Sequence, residues 1–515
     1  MIIIKHLNTF YFMTKYPQIS SKDRNIETKK DLLDLMSWDL IEEFRAFVFE
    51  KNDEGVKIAA INPGDKTLRD YVKKNIGKKV EWFLATEEDM KFIFKNHTCD
   101  FGSEINRLAS NINEANENIS KVVDKIIEYA VEQKASDIHI EPGRNEVKIR
   151  FRLDGVLKNM IQLQKNVHSS LVARIKILAN LKIDEYRRAQ DGRIEPEKLQ
   201  NVSLRVSIMP TLFGEKIAMR ILDDSNKNLL LKDLGFSDKH EKIVMENIEK
   251  PYGMIISSGP TGSGKTTTLY ALLMLLKKEG VNVSTLEDPI EYTLPEVNQI
   301  QINPRADLTF ASGVRSLLRQ DPNIIMVGEI RDSETAIMAA DSALTGHLVL
   351  TTLHTNDAAS AFIRLLEMKV EDFVASSTIN LIIAQRLVRK ICSHCAINKN
   401  LDKLILEKIH ERKDVIESLE RKEKELSKKI KNVTFKTGKG CKKCLNSGYQ
   451  DRIGIYEILV PNKEIHDLVL KHASTEKIKD AAIKNGFHEM IDNGLDKVFD
   501  GVTTFEEILR VTKNI

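Results

Sequence analysis

The string Gly259-Pro260-Thr261-Gly262-Ser263-Gly264-Lys265-Thr266 completes the pattern G-x-x-x-x-G-K-[ST], and no other stretch limits the fold of this chain so tightly. Such a loop works only where a strand delivers it and a helix leaves from it. Both flanks are present: residues 254–258 are an apolar run, and residues 267–277 have the apolar spacing of a helix. Glycines let backbone N–H groups point inward around phosphates, where side chains would collide. The helix N-terminus adds favourable partial charge. The loop from Gly259 to Thr267 is therefore expected to cradle ATP. Lys265 should reach the β- and γ-phosphates, and Thr266 should hold Mg²⁺ through its hydroxyl.

Beyond the loop, short apolar runs at 281–286, 324–327 and 348–352 alternate with helical stretches. That alternation predicts an α/β domain, a parallel-rich sheet covered by helices. Hydrolysis needs more than a cradle: a carboxylate for the water, acidity near the metal and positive charge for the transition state. Glu329 ends the apolar run Ile324-Ile325-Met326-Val327-Gly328, where an acidic residue at the metal is expected. Glu287, Asp288 and Glu291 follow the preceding run and should lie at the same sheet edge. Any one of these acids, taken alone, has a surface carboxylate or a helix cap as its lesser reading, which weakens further beside the phosphate loop.

At 515 residues the chain exceeds one ordinary core, and two to four domains are expected. Apolar content of 42% and charged content of 30% describe a globular chain. A net charge of +3 and 6% aromatic residues give no reason to expect a nucleic-acid track. Residues 1–100 mix apolar-alternating and helical segments, 32–49 and 87–95 among the helical ones. They carry no catalytic pattern and form a separate N-terminal unit. Residues 101–118 are polar and read as a linker or an exposed helix. A second, smaller α+β domain spans 119–228, with a helix at 122–133, a strand at 147–153 before the Asp154-Gly155 turn, and β-rich sequence at 203–222. Residues 229–515 form the phosphate-loop domain. The charged stretch 403–431 carries leucines and isoleucines at helical spacing and reads as a protruding, solvated hairpin. Apolar runs such as 269–276 are short of the roughly 20 residues that cross a bilayer. The sequence opens with the apolar residues 1–4 and is then polar, without a secretory h-region followed by a small-residue cleavage site. A cytoplasmic protein is expected.

Four of the five cysteines form two pairs, Cys392-Ser393-His394-Cys395 and Cys441-Lys442-Lys443-Cys444. Two such knuckles offer four thiolates to one tetrahedral Zn²⁺, and four cysteines leave no open position for catalysis. The long gap is tolerable, because a metal closes any loop whose ends meet. A zinc module at 390–456 follows, with His394 a weak competing ligand and Cys99 an idle thiol.

Taken in order, these strings resemble the secretion ATPase superfamily, in its tetracysteine branch for type II secretion and type IV pilus assembly. Thr285-Leu286-Glu287-Asp288-Pro289-Ile290-Glu291-Tyr292 is similar to the family's Asp box. The segment from Arg319 to Asp332 resembles its Walker B region, and that from Thr345 to Asp357 its His box. Ala135-Ser136-Asp137-Ile138-His139-Ile140-Glu141-Pro142 and Gln190-Asp191-Gly192-Arg193 resemble signatures of its second N-terminal domain. The resemblance covers 119 to the C-terminus. It implies a RecA-like ATPase domain preceded by a PAS-like α+β domain and a docking domain. By position it implies that Glu287 polarises the attacking water and that Glu329 acts at the metal. His347 and His354 would sense the nucleotide or link it to a neighbouring subunit. Arg205 and Arg220 would deliver positive charge to the nucleotide from the second domain. Arg315 and Arg319, four apart on a helix face, would supply further positive charge.

The same resemblance implies a homo-hexamer at the cytoplasmic face of the inner membrane, working with platform and docking proteins of a secretion or pilus machine. Retraction ATPases of the family usually lack the four cysteines, so assembly or secretion is favoured over retraction. Overall length and the short N-terminal region lean towards type II secretion, with pilus extension as the alternative. The repeated Arg-Leu-Gly pattern that marks cyclic-dinucleotide-binding N-terminal domains in some relatives is not found. A RecA-like nucleic-acid motor and a non-hydrolysing nucleotide switch are the competing classes. DNA-stimulated turnover would revive the first, and phosphate release separates the second.

Overall fold

The computed structural model describes residues 16–18, 44–51, 55–76, 79–90, 105–106, 108–109, 116–223, 230–400, 403–426 and 434–513. Near the N-terminus, β1 (Ala46–Lys51) pairs antiparallel with β2 (Gly55–Ala60), and β2 pairs parallel with β3 (Lys79–Leu84). The helix Lys66–Asn75 makes the crossover, started by Asp65, whose side chain accepts the Leu68 N–H at 3.0 Å. Phe47, Ile58, Leu68 and Val72 fill the small core between them. Of the helical segments expected here, 32–43 and 91–95 lie outside the described residues, as does Cys99. Residues 46–49 are strand rather than helix, because all four are buried in a continuous apolar run that periodicity alone does not assign. Residues 87–90 are helical.

The next sheet is antiparallel throughout, in the order β6-β5-β4-β9-β8-β7. Its strands are β4 (Asp137–Pro142), β5 (Glu146–Leu153), β6 (Val156–Gln164), β7 (Gln190–Ile194), β8 (Val202–Thr211) and β9 (Gly214–Asp223). The helices Asn116–Glu132 and His168–Leu178 cover the face built from Ile138, Ile140, Ile149, Phe151 and Val206. Alternation puts Asp137, His139, Arg150 and Arg152 on the other face. Ile105 and Ala109 are buried in this core, so part of the expected linker is packed rather than free.

The largest sheet runs β12-β11-β13-β14-β10-β15-β18. It comprises β10 (Gly253–Ser258), β11 (Val283–Glu287), β12 (Asn298–Gln301), β13 (Ile324–Val327), β14 (Leu348–Leu353), β15 (Ile379–Ile391) and β18 (Tyr449–Leu459). All neighbours are parallel except β15 and β18. Every residue of β10, β11, β13 and β14 is buried, as expected for parallel strands covered on both faces. One strand, β14, separates the loop-bearing β10 from β13, which leads to Glu329.

Between β15 and β18 the short ribbon β16 (Ala396–Lys399) and β17 (Phe435–Gly438) brackets the charged insertion. The insertion does not protrude. Ile405, Ile409, Val415 and Leu419 join the main core, and Arg421 pairs with Glu489 at 3.1 Å and Asp492 at 2.9 Å. The helix Lys413–Leu426 thus has an apolar stripe and charges that both face the helix Met490–Phe499. Among the described residues, no helix is long and apolar enough to cross a membrane.

Candidate nucleotide site and cysteine centre

The loop leaves the C-terminal end of β10 and enters the helix Lys265–Leu276. Gly264 caps that helix at φ +91°, and Gly259 sits at φ +145° with no room for a side chain. A Cβ on Gly259 would come within 2.5 Å of the Gln385 carbonyl. These are positions that only glycine fills without strain. Ser263 Oγ is buried without a hydrogen-bond partner, which suits a cradle built for an acceptor-rich ligand. Lys265 is buried and donates to the carbonyls of Gly259 at 2.8 Å and Pro260 at 3.2 Å. Burial pushes its pKa down to about 8, against the opposing pull of Glu329. Thr266 follows at the helix start, half-buried.

Glu329 is brought close to this loop. Its Oε1 lies 2.5 Å from Arg331 and its Oε2 lies 3.6 Å from His354 Nε2. Burial first, and then Lys265, hold the His354 pKa below its usual value, while Glu329 works the other way. Lys265, Glu329 and His354 therefore form one electrostatic unit, and Arg331 extends it to Asp288 at 3.8 Å.

Other expected site residues do not join that unit. His347 precedes β14, and its neighbour Leu348 pairs with Gly253 at the start of β10. That is five strand residues from Ser258, or about 17 Å, so His347 is at the sheet end opposite the loop. Its Nδ1 contacts Ser342 O at 3.1 Å. Glu287 is buried, bonded by Tyr270 OH, by Thr285 Oγ1 at 2.7 Å and by Gln299 Nε2 at 3.0 Å. Three donors on one carboxylate hold it in place, and in this arrangement it is not presented to a water. Burial and the Glu287 charge raise the Tyr270 pKa. Arg315 pairs with Glu334 at 3.3 Å, and Arg319 folds back on Arg315 O at 2.9 Å.

The second-domain arginines divide. Arg205 crosses to the phosphate-loop domain, donating to Ile290 O at 2.6 Å with Glu291 at 3.9 Å. Arg220 stays on its own sheet, paired with Asp137 at 3.3 Å. Strand register sets Arg193, Arg205 and Arg220 side by side across β7, β8 and β9. Sequence reasoning gave Arg331 and Tyr270 no role. Arg331 had a signal, since it stands two residues after Glu329, whereas Tyr270 looked like one more apolar helix position.

The four cysteines meet. Cys392 and Cys441 sulfurs are 3.9 Å apart, Cys395 and Cys444 3.9 Å, and Cys441 and Cys444 3.7 Å. All four lie within 4.8 Å of one another. A tetrahedral zinc with about 2.3 Å bonds to sulfur sets its ligands about 3.8 Å apart, so the donor set fits that ion. Burial raises the Cys444 pKa, but N–H groups of Cys441 at 3.2 Å and Gly448 at 3.3 Å outweigh it and favour the thiolate. His394 turns instead to Lys443 at 2.7 Å. Just beyond, Glu457 accepts Ala358 N at 2.6 Å and Met490 N at 3.1 Å, tying the segment after His354 to the C-terminal helices. Burial pushes its pKa up to about 7.

A phosphate loop on an interior strand of a parallel-rich sheet, with an acid at the end of the next strand but one, defines a RecA-like P-loop ATPase domain. The family model described as type II/IV secretion system protein matches residues 113–510, and the MshEN domain model matches 15–98. The type IV pilus assembly ATPase PilB of Myxococcus xanthus is 36% identical over 515 aligned residues, 96% of this chain and 88% of that protein. A PilB of Acinetobacter baylyi is 36% identical over 501, covering 93% and 84%. The type II secretion system ATPase E of Vibrio cholerae is 41% identical over 396, covering 77% and 75%. Among solved structures, the Legionella pneumophila ATPase DotB superposes with a TM-score of 0.54 at 22% identity, covering 76% of this chain and 95% of that one. The pilus retraction motor PilT superposes with a TM-score of 0.51 at 24% identity, covering 75% and 96%. These two share the fold. The chain belongs to the type II/IV secretion ATPase family.

Proposed function

We propose that this chain hydrolyses Mg²⁺-ATP to drive assembly of a type IV pilus from the cytoplasmic face of the inner membrane, working as a homo-hexamer. The carrying observation is the joining of Lys265, Glu329 and His354 around a glycine loop whose first glycine has no room for a side chain. In the cycle, Lys265 leaves the Gly259 and Pro260 carbonyls for the β- and γ-phosphates. Thr266 and Glu329 are the residues that would hold magnesium. When bound, that ion neutralises charge building on the phosphate oxygens. Glu329 is the stronger candidate to orient water, because Glu287 is already bonded by three donors. Arg205 links the second domain to the residues after β11, so a change at the nucleotide can move one domain against the other. The arginine row carries positive charge for the transition state once that movement brings it near. We also propose the division into docking domain, second domain and ATPase domain described above, with zinc held by the four cysteines.

The sequence-based lean towards type II secretion gives way here to pilus extension. Of the relatives named above, the two aligned over nearly the whole chain are pilus assembly ATPases. The type II ATPase named above aligns over 77% of it. Pseudopilus assembly in type II secretion remains the second reading, because the motor core matches both classes. Deleting the gene in its native host should abolish surface pili and leave the secreted proteins unchanged. Intact pili with a depleted secretome would reverse that choice.

A further inference from the structure

β15 passes beneath the phosphate loop, and Gln385 at its centre is buried, at 1% exposure. Its Nε2 donates to Ser263 O at 2.8 Å, and its Oε1 accepts from Ser257 Oγ at 3.2 Å. Its own carbonyl is what crowds Gly259, and its Nε2 would lie 3.1 Å from a Cβ on Gly264. One residue therefore touches the strand leading into the loop, the first glycine and the peptide before the last glycine. The orientation of its amide follows from its partners. Reversing it would set two acceptors together at Ser263 O.

We propose that Gln385 is a positioning residue that sets the phosphate loop in its binding conformation; this rests on the hydrolysis reading above. In a trans peptide the C=O and N–H point to opposite sides. Holding Ser263 O against Gln385 therefore aims the Gly264 N–H away from β15, on the side where the loop takes its ligand. Only a side chain with a donor and an acceptor in fixed geometry satisfies Ser263 O and Ser257 Oγ together. Glutamate keeps the shape and loses the donor. Methionine keeps the bulk and loses both.

The test uses the full-length protein with Gln385→Glu, Gln385→Met and Ser257→Ala, measuring ATP turnover, thermal midpoint and amide exchange over residues 259–264. The two Gln385 variants should raise the KM for ATP about tenfold, the scale of one lost hydrogen bond. Exchange in the loop should accelerate in both. Ser257→Ala leaves the bond to Ser263 in place and should raise KM only about threefold. It also serves if Gln385→Met does not fold. A purely structural residue would lower the thermal midpoint and leave KM and loop exchange unchanged, and that result overturns the proposal. Lys265→Ala is measured alongside. If it turns over ATP normally, the hydrolysis reading itself falls; if it is inactive while the Gln385 variants match wild type, only the brace falls.

Discussion

At or below pH 7, Glu329→Gln is expected to bind ATP with nearly unchanged affinity and to release phosphate roughly 10²–10⁴-fold more slowly, the range for loss of a positioned acid or base. The substitution keeps the side chain's size at the end of β13 and one acceptor for Arg331. What it removes is the charge that faces Lys265 and His354. Among the influences on Lys265, Glu329 alone raises its pKa, against burial. Without it, the folded-state pKa falls further below about 8, and less of the lysine stays protonated as pH rises through that value. Nucleotide affinity in the variant should therefore weaken between pH 7 and 8.5 more steeply than in wild type. Equilibrium binding with a fluorescent nucleotide and a phosphate-release assay read the two effects separately. Wild-type turnover in the variant would remove Glu329 from the chemistry.

Cys395→Ser, or removal of zinc by a strong chelator, is expected to cost several degrees of thermal midpoint and the bound metal together. Cys392 and Cys395 follow β15, and Cys441 and Cys444 precede β18, its antiparallel partner. The ion would close the ends of both strands across the whole insertion. Structural zinc sites supply about 10 kcal/mol of folding free energy in small peptides. Even a third of that is a large share of the 5–15 kcal/mol that holds a typical domain folded. Metal analysis should find close to one zinc per chain in wild type and almost none in the variant. A zinc-free wild type with the same melting curve before and after chelation would leave the four sulfurs as a packed thiol cluster.

How legible these features were in sequence depended on how local their physics is. The loop at 259–266 and the cysteine pairs could be read directly, because glycine geometry and thiolate chemistry follow from residue type and spacing alone. The strands around the loop were legible for a similar reason: continuous β-branched and apolar runs mark strands buried on both faces. What sequence did not reveal was where each element points. His347 and His354 stand seven apart in one motif, yet β14 runs between them and sends them to opposite ends of the sheet. Glu287 looked free for catalysis because its donors come from a helix, from its own strand and from β12. The insertion's apolar stripe was visible in Ile405, Ile409, Val415 and Leu419, but its partner helix starts at Met490. Arg315 and Arg319 have helical spacing, but the helix Phe310–Leu317 ends before Arg319, so Arg315 meets Glu334 while Arg319 folds back on the Arg315 carbonyl. Gln385 showed no signal at all. A glutamine within a strand means nothing until the loop it holds lies across it.

Lys265 bears most directly on the central claim, because every proposed step begins with its transfer from loop carbonyls to phosphate. The decisive measurement is single-turnover phosphate release by the assembled Lys265→Ala protein, paired with pilus counts in cells carrying the same substitution. A loss of at least about 10²-fold in cleavage, together with bald cells and an unchanged melting curve, is the predicted result. Wild-type phosphate release with normal pili would contradict it.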